Sequence, residues 1–268
     1  MMNTIWSDRR RPKAPAAAAP ESAAARDAIA SARVWLMQAS RIAVLTGAGV
    51  SAESGVPTFR DAQSGWWAQF DPAELATEEA FRGDPERVWG WYAFRRQLTR
   101  DAEPNAAHLA LAAFEARYPG RLTLITQNVD GLHQRAGSAG ALALHGNLVE
   151  DRWLDPARSC CNKAVPDQGQ PPRCPICGNA RRPAVVWFGE MLPERTLAAA
   201  QRAAGSCDVM LVVGTSGLVY PAAGLAIAAS SAEARVVIVN PEPTELDDVA
   251  QLLLRGTAGQ LLPALLNF

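Results

Sequence analysis

The sequence predicts an α/β fold: a doubly wound parallel sheet with a small inserted module that carries cysteines. Three observations predict it. Short apolar runs alternate with helical patterns along most of the chain, as repeated strand–helix–strand units require. The first run, Ile42-Ala43-Val44-Leu45-Thr46, leads straight into Gly47-Ala48-Gly49-Val50-Ser51-Ala52, the Gly-x-Gly-x-x-Ala form of a dinucleotide loop. Four of the five cysteines fall within residues 152–182, a proline-rich stretch without periodicity.

Taken in order, residues 1–22 are rich in Ala, Pro and Arg, include Arg9-Arg10-Arg11, and lack the apolar core of a secretory signal. They read as a disordered arm ahead of a catalytic domain over 23–268. An organellar transit peptide is the rival, opposed by Pro12 and Pro15. A helical pattern covers Ala23–Ala39, and Ile42–Thr46 is the first strand. In its loop, Gly47 permits a tight turn, Gly49 lets backbone approach a pyrophosphate, and Ala52 allows close packing. A Gly-x-Gly after a strand is as readily an ordinary turn. The continuation is unlike that of a dehydrogenase: Gly55-Val56-Pro57-Thr58-Phe59-Arg60, then Gly65-Trp66-Trp67. Pro57 and its neighbouring glycine end any helix early. This suggests a loop over the cofactor, with Phe59 and Arg60 above its reactive end.

Further strands are expected at Leu122–Thr126, Val185–Trp187, Val209–Val213 and Val236–Val239. Most are continuous apolar runs, as strands buried on both faces require. Helices are expected at Pro85–Thr99, Ala106–Ala116, Glu194–Ala204 and Pro221–Ala229. Leu246–Leu254 and Gln260–Leu266 are apolar segments that would pack on one face. Residues 209–232 carry no charge and are long enough to raise a membrane span. Gly214-Thr215-Ser216-Gly217 and Pro221 interrupt them, so strand, turn and small-residue helix fit better.

The 268 residues are 49% hydrophobic, enough for one large domain or a main and a small one. The formal net charge of -1 gives no field favouring nucleic acid or an anionic membrane. The reading is a cytoplasmic monomer that binds neither.

Ligands of an open α/β sheet bind at the carboxyl ends of its strands. Here those ends are polar or glycine-rich: Thr126-Gln127-Asn128-Val129-Asp130-Gly131, Gly214-Thr215-Ser216 and Asn240-Pro241-Glu242. Each alone is explained by a helix cap or turn; several together favour a shared nucleotide crevice. The three histidines differ. His108 sits inside a helical pattern and reads as a packing residue. His133 is ambiguous. His145 lies between an apolar run and Gly146, where its imidazole could stand at a cleft edge as a neutral-range base. Cys174-Pro175-Ile176-Cys177 has zinc-knuckle spacing, and Cys160-Cys161 supplies the other half. A reduced, metal-free loop is the alternative, and Cys207 reads as buried.

Together these segments resemble the sirtuin family of NAD-dependent protein lysine deacylases. The matching stretches are 47–60, Thr126-Gln127-Asn128-Val129-Asp130-Gly131-Leu132-His133, His145-Gly146, Val185-Val186-Trp187-Phe188-Gly189-Glu190, Gly214-Thr215-Ser216 and Asn240. The resemblance implies a Rossmann-type domain plus a small zinc module, with NAD and an extended acyl-lysine peptide meeting between them. It implies that Gly47, Ala48 and Gly49 cradle the pyrophosphate. Phe59 and Arg60 belong to the cofactor loop, and Gln127, Asn128 and Asp130 line the nicotinamide–ribose pocket. Gly214, Thr215, Ser216, Asn240 and Glu242 hold the adenosine half, and Ala258 meets adenine through its backbone. Glu53, Thr58, Trp66, Val129 and Pro241 complete the cofactor set. His145 is the implied base, with Asn128 and Asp130 as its catalytic company.

The implied reaction consumes NAD. The acyl oxygen attacks C1′ of the nicotinamide ribose, nicotinamide leaves, and His145 deprotonates a ribose hydroxyl that attacks the acyl carbon. Water then yields lysine and O-acyl-ADP-ribose. Val186, Trp187, Phe188, Gly189 and Glu190 resemble the segment that pairs with the peptide as an added strand. Tyr92 and Arg95, one helical turn apart, resemble the class III, desuccinylase- and demalonylase-like branch, where such a pair binds the carboxylate of succinyl- or malonyl-lysine. One departure is plain: the family's first zinc cysteine, eight residues after the base, is Trp153 here. Cys160, Cys161, Cys174 and Cys177 would then make the whole set. Mono-ADP-ribosyl transfer and a non-catalytic NAD-binding module are the alternative functions.

Overall fold

The computed structural model describes residues 22–57, 72–162 and 171–268. Among these residues eight strands are formed: β1 (Ile42–Thr46), β2 (Leu122–Thr126), β3 (Leu142–Ala143), β4 (Gly146–Trp153), β5 (Arg181–Val185), β6 (Val209–Val213), β7 (Arg235–Val239) and β8 (Leu252–Leu254). The helices are α1 (Ala23–Gln38), α2 (Pro72–Leu75), α3 (Glu78–Gly83), α4 (Pro85–Asp101), α5 (Ala106–Arg117), α6 (Leu132–Ala136), α7 (Glu194–Ala204), α8 (Gly224–Ser231) and α9 (Ala258–Leu266).

Six strands make one sheet in the order β3-β2-β1-β6-β7-β8, every pair parallel. The order reverses between β1 and β6, which opens a crevice beyond the strand ends at that point. Register brings those ends level: Thr46 lies beside Thr126 and Val213, and Val213 beside Val239. The continuous apolar runs follow from burial on both faces. Ile42 and Val44 join the core beneath α1, α5 and α9, while Ala43 and Leu45 join the core beneath α7 and α8.

Local chemistry sets the helix starts. The Ser22 hydroxyl accepts from Ala25 N–H at 3.1 Å and caps α1. Asp84 caps α4 through Arg87 N–H at 3.1 Å, with Pro85 at the first helical position. Asn105 caps α5 by accepting from Ala107 N–H at 2.9 Å, and His108 Nδ1 accepts the Asn105 N–H at 3.3 Å. An imidazole thus takes the place usually held by glutamate in a capping box.

Two strands differ from expectation. Val185–Trp187 is not a core strand: β5 ends at Val185 and pairs antiparallel with β4 in a separate two-stranded sheet. That sheet packs with α3 and α4 around Phe81, Trp91, Tyr92, Leu148 and Trp187. A three-residue apolar run carries no information about which sheet it joins. Leu246–Leu254 holds a 3-10 turn over Asp247–Val249 and then β8, the sixth strand of the main sheet. α8 begins at Gly224, three residues later than the pattern suggested. Residues 209–232 form β6, a turn and α8, and among the described residues no helix is long and apolar enough to cross a membrane. Residues 1–21 of the expected arm lie outside the described residues.

Candidate functional site

The loops after β1 and β6 are stitched together by backbone. Gly47 N–H donates to Val213 O at 3.0 Å, Gly49 N–H to Gly214 O at 2.8 Å, and Gly214 N–H to Val239 O at 3.0 Å. The glycines are needed for this contact, and Gly214 also for its left-handed φ of 61°. A Cβ on Gly49 would stand 2.8 Å from Gly214 Cα, and one on Gly214 would stand 2.4 Å from Val50 N. Gly47 has an extended φ of -123°, so close approach, not backbone freedom, is what excludes a side chain there.

Above these loops lies a cavity of about 580 Å³. Gly47, Ala48, Gly49, Glu53, Gly214, Thr215, Ser216, Asn240, Pro241, Glu242 and Ala258 line one end, and Gln127, Asn128, Val129 and His145 the middle. Gln127 Nε2 ties the two parts by donating to Thr215 Oγ1 at 3.0 Å. Asn240 Nδ2 donates to Glu242 O at 2.6 Å and shapes the far wall. The Glu53 carboxylate is already engaged: it accepts from Thr257 Oγ1 at 3.0 Å and Gly259 N–H at 2.7 Å, capping α9. Thr58, Phe59, Arg60 and Trp66, expected over the cofactor, lie outside the described residues.

His145 is held in one tautomer. Its Nδ1 lies 2.9 Å from Gln127 O, and a carbonyl only accepts, so Nδ1 carries the proton and Nε2 keeps a free lone pair. Burial pushes the imidazole below its usual pKa, partly opposed by that bond. The other two histidines sit beneath the site. Asp130 is buried and off the cavity wall: its carboxylate accepts from Ser51 Oγ at 2.8 Å and Leu132 N–H at 2.9 Å. Ser51 Oγ accepts from Asn128 Nδ2 at 3.1 Å and lies 3.4 Å from His108 Nε2. Asp130 thus sets Asn128 through Ser51 and does not itself face the cavity. His133 Nε2 meets Thr46 Oγ1 at 2.9 Å, while its Nδ1 has no partner among the described residues. Burial, then His108 nearby, lowers His133 to about 3, so it stays neutral at ordinary pH.

The opposite wall is the segment after β5. Val186, Trp187, Phe188, Gly189 and Glu190 all line the cavity, as does Arg95. Glu190 is a clamp: its carboxylate accepts from Arg182, from Arg152 Nη2 at 2.9 and 3.0 Å, and from Trp187 N–H at 2.7 Å. It holds the segment in shape and has little left for a substrate. Tyr92 stands behind the wall, 1% exposed, with its hydroxyl bonded to Trp187 Nε1 at 2.9 Å. Arg95 stacks on Trp91 and Tyr92, Cζ to centroid 4.8 and 5.8 Å, and burial lowers its pKa.

The four cysteines converge. Cys160, Cys161, Cys174 and Cys177 are free thiols whose sulfurs all lie within 4.8 Å of one another. The thiols act on one another: backbone N–H groups of Cys177 and Ile176 lower Cys174 to about 7, while hydrogen bonding to Cys177 raises Cys160 to about 12. Four sulfurs at this spacing fit one tetrahedral zinc with no open position. Trp153 pairs with Arg181 across β4 and β5 and stacks on its guanidinium at 4.2 Å, so that position closes the strands.

Residues 47–221 match the model of the Sir2 family. The chain belongs to that family. An NAD-dependent protein deacylase of Ralstonia nicotianae is 56% identical over 88% of this chain and 95% of its own. A solved variant of a Sir2 homologue in complex with 2′-O-acetyl-ADP-ribose is 43% identical, with TM-score 0.79 over 88% of this chain and 94% of that one. Sir2Tm bound to a propionylated peptide is 30% identical, with TM-score 0.75 over 87% and 95%. In this Sir2 chain the sequence reading missed an apolar rim to the cavity: Met191, Val219 and Tyr220 line it and are 90%, 41% and 65% exposed. The available signal was Leu218-Val219-Tyr220, three large apolar residues in a stretch read as a turn and as part of the branch pattern, without a place on the cavity rim.

Proposed function

We propose that this chain removes acyl groups from protein lysines, consuming NAD and releasing nicotinamide and O-acyl-ADP-ribose. The observation that carries the reading is His145: a neutral imidazole with a free Nε2, on the wall of a cavity that begins at a dinucleotide loop. A pure binding module has no use for a base held in one tautomer. The residues fit the dinucleotide, because backbone on Gly47–Gly49 and Gly214 leaves an uncluttered cradle at a topological switch point. NAD supplies an electrophilic ribose carbon when bound. In this reading the chain's residues orient it: Asn128, fixed through Ser51 and Asp130, faces the ribose end, and Thr215, Ser216 and Asn240 face the adenosine end. His145 Nε2 takes a proton from a ribose hydroxyl. The exposed rim at Phe188, Met191 and Tyr220 suits an extended peptide that adds a strand beside residues 186–190. The same reading has the protein work as a cytoplasmic monomer, without nucleic acid or membrane.

Arg95 refines the substrate class. Arg95 lines the cavity, and among the described residues it forms no ion pair or hydrogen bond with a carboxylate, the Asp130 charge acting on it only at a distance. An acyl chain ending in a carboxylate, succinyl or malonyl, would supply the missing partner.

Nicotinamide release tests the function. It is expected to require an acyl-lysine peptide, one nicotinamide appearing for each lysine freed. Release that is independent of acylation, with label from NAD transferred to protein, would favour ADP-ribosyl transfer; no release would leave a binding module.

The metal makes its own prediction. Protein purified without chelator should carry one zinc per chain by elemental analysis, and replacing Cys174 with serine should lower both zinc content and thermal stability. Zinc-free protein that melts normally would refute the assignment.

A further inference from the structure

Behind the acyl wall one hydroxyl hydrogen has no acceptor among the described residues, and on the wall one guanidinium has no ion-pair partner there. Trp187 Nε1 donates to the Tyr92 hydroxyl at 2.9 Å. An indole N–H only donates, so the phenol accepts in that bond and its own hydrogen is left over. Among the described residues no acceptor takes it, although Tyr92 is 1% exposed. Arg95, beside it, stacks on the faces of Trp91 and Tyr92 and feels the Asp130 charge, but forms no hydrogen bond or ion pair among the described residues.

Trp187 is not free to turn. The Arg182 guanidinium stacks on its ring, Cζ 3.2 Å from the centroid, and Phe81 packs against it at 5.3 Å. Its backbone N–H is held by Glu190 at 2.7 Å. Arg182, 1% exposed, is itself fixed by Val185 O at 2.7 Å and by Glu190. This clamp aims one indole hydrogen at one phenol oxygen.

We infer that Trp187 is a specificity-determining positioning residue: its indole N–H commits the Tyr92 hydroxyl to donating, so the polar end of the acyl pocket presents donors alone and selects chains that end in an acceptor. Without that N–H the hydroxyl can turn and serve as donor or acceptor, and the preference weakens. The inference rests on the reading of Tyr92 and Arg95 as acyl recognition.

The test is a double-mutant cycle on the ratio of kcat/KM for succinyl-lysine to that for acetyl-lysine, with one peptide. Trp187→Phe keeps an aromatic ring and removes the donor. It should lower the ratio roughly 3- to 10-fold, the weight of one neutral hydrogen bond. In the Tyr92→Phe background it should lower the ratio no further, because the hydroxyl it orients is gone. A merely structural residue would depress both substrates alike and act additively with Tyr92→Phe. If Tyr92→Phe lowers the ratio and Trp187→Phe does not, the inference is overturned and the acyl pocket stands. If neither Tyr92→Phe nor Arg95→Met changes the ratio, the pocket reading fails and the inference falls with it. Should Trp187→Phe not fold, benzothienylalanine at position 187 replaces the N–H by sulfur in the same shape. A second readout is phenol absorbance, taken as wild type minus Tyr92→Phe. An indole N–H on the oxygen favours the phenolate, so losing it should raise the Tyr92 titration; an unmoved titration would count against the inference.

Discussion

Replacing His145 with alanine is expected to slow deacylation by roughly 10²–10⁴-fold in a protein that still folds. Of the three histidines, His145 alone lines the cavity, and Gln127 O fixes its proton on Nδ1. His108 and His133 are buried and bonded to Ser51 and Thr46, so neither replaces it. The same environment sets the sign of the pH dependence. The reactive form is the neutral imidazole, and burial lowers its pKa below the ordinary value. Activity should therefore be full at neutral pH and fall only as pH drops through a value below about 6.5. A folded variant within a few-fold of wild type, or an acidic limb that lies above the ordinary histidine value, would remove His145 from the proton transfer.

Arg95→Met should lower the ratio of succinyl- to acetyl-lysine activity by about 10–150-fold, with malonyl-lysine following succinyl. A charge-assisted contact to a carboxylate is worth roughly 1.5–3 kcal/mol, which converts to that factor in kcat/KM. The acetyl chain has no carboxylate to lose. The prediction is sharper because Arg95 has no hydrogen bond or ion pair among the described residues: it stacks on Trp91 and Tyr92, whereas its neighbour Arg96 is tied to Leu148 O at 2.7 Å and to Asp151. Equal loss on all three chains would mean that Arg95 supports α4 and does not read the substrate, and the acidic-acyl assignment would be dropped.

The main sheet was legible because its strands are buried on both faces. Ile42–Thr46, Leu122–Thr126 and Val209–Val213 coincide with the observed strands residue for residue. β3 and β8, of two and three residues, were not legible: so short a strand leaves no period, and pairing with a neighbour is what defines it. Val185 failed for a related reason, since its apolar run is satisfied equally by a main-sheet strand and by the antiparallel partner of Gly146.

By itself, then, the sequence determined what is local or carried by residue type: the alternating runs, the glycines after β1 and β6, the cysteines, and the order of the motifs that mark the Sir2 family. Only the tertiary structure decided which polar atoms are already spent. Asp130 and Ser51 are 79 residues apart, Tyr92 and Trp187 are 95 apart, and Glu53 reaches Gly259 across 206. Each carboxylate or hydroxyl carries the same chemistry in the sequence whether it faces a ligand or a distant backbone. Folding assigns Asp130, Glu190 and Glu53 to internal donors and leaves His145 Nε2 and the Arg95 guanidinium without a hydrogen-bond partner among the described residues, because a buried polar group must find a partner and the chain's own long-range contacts reach it before any ligand does.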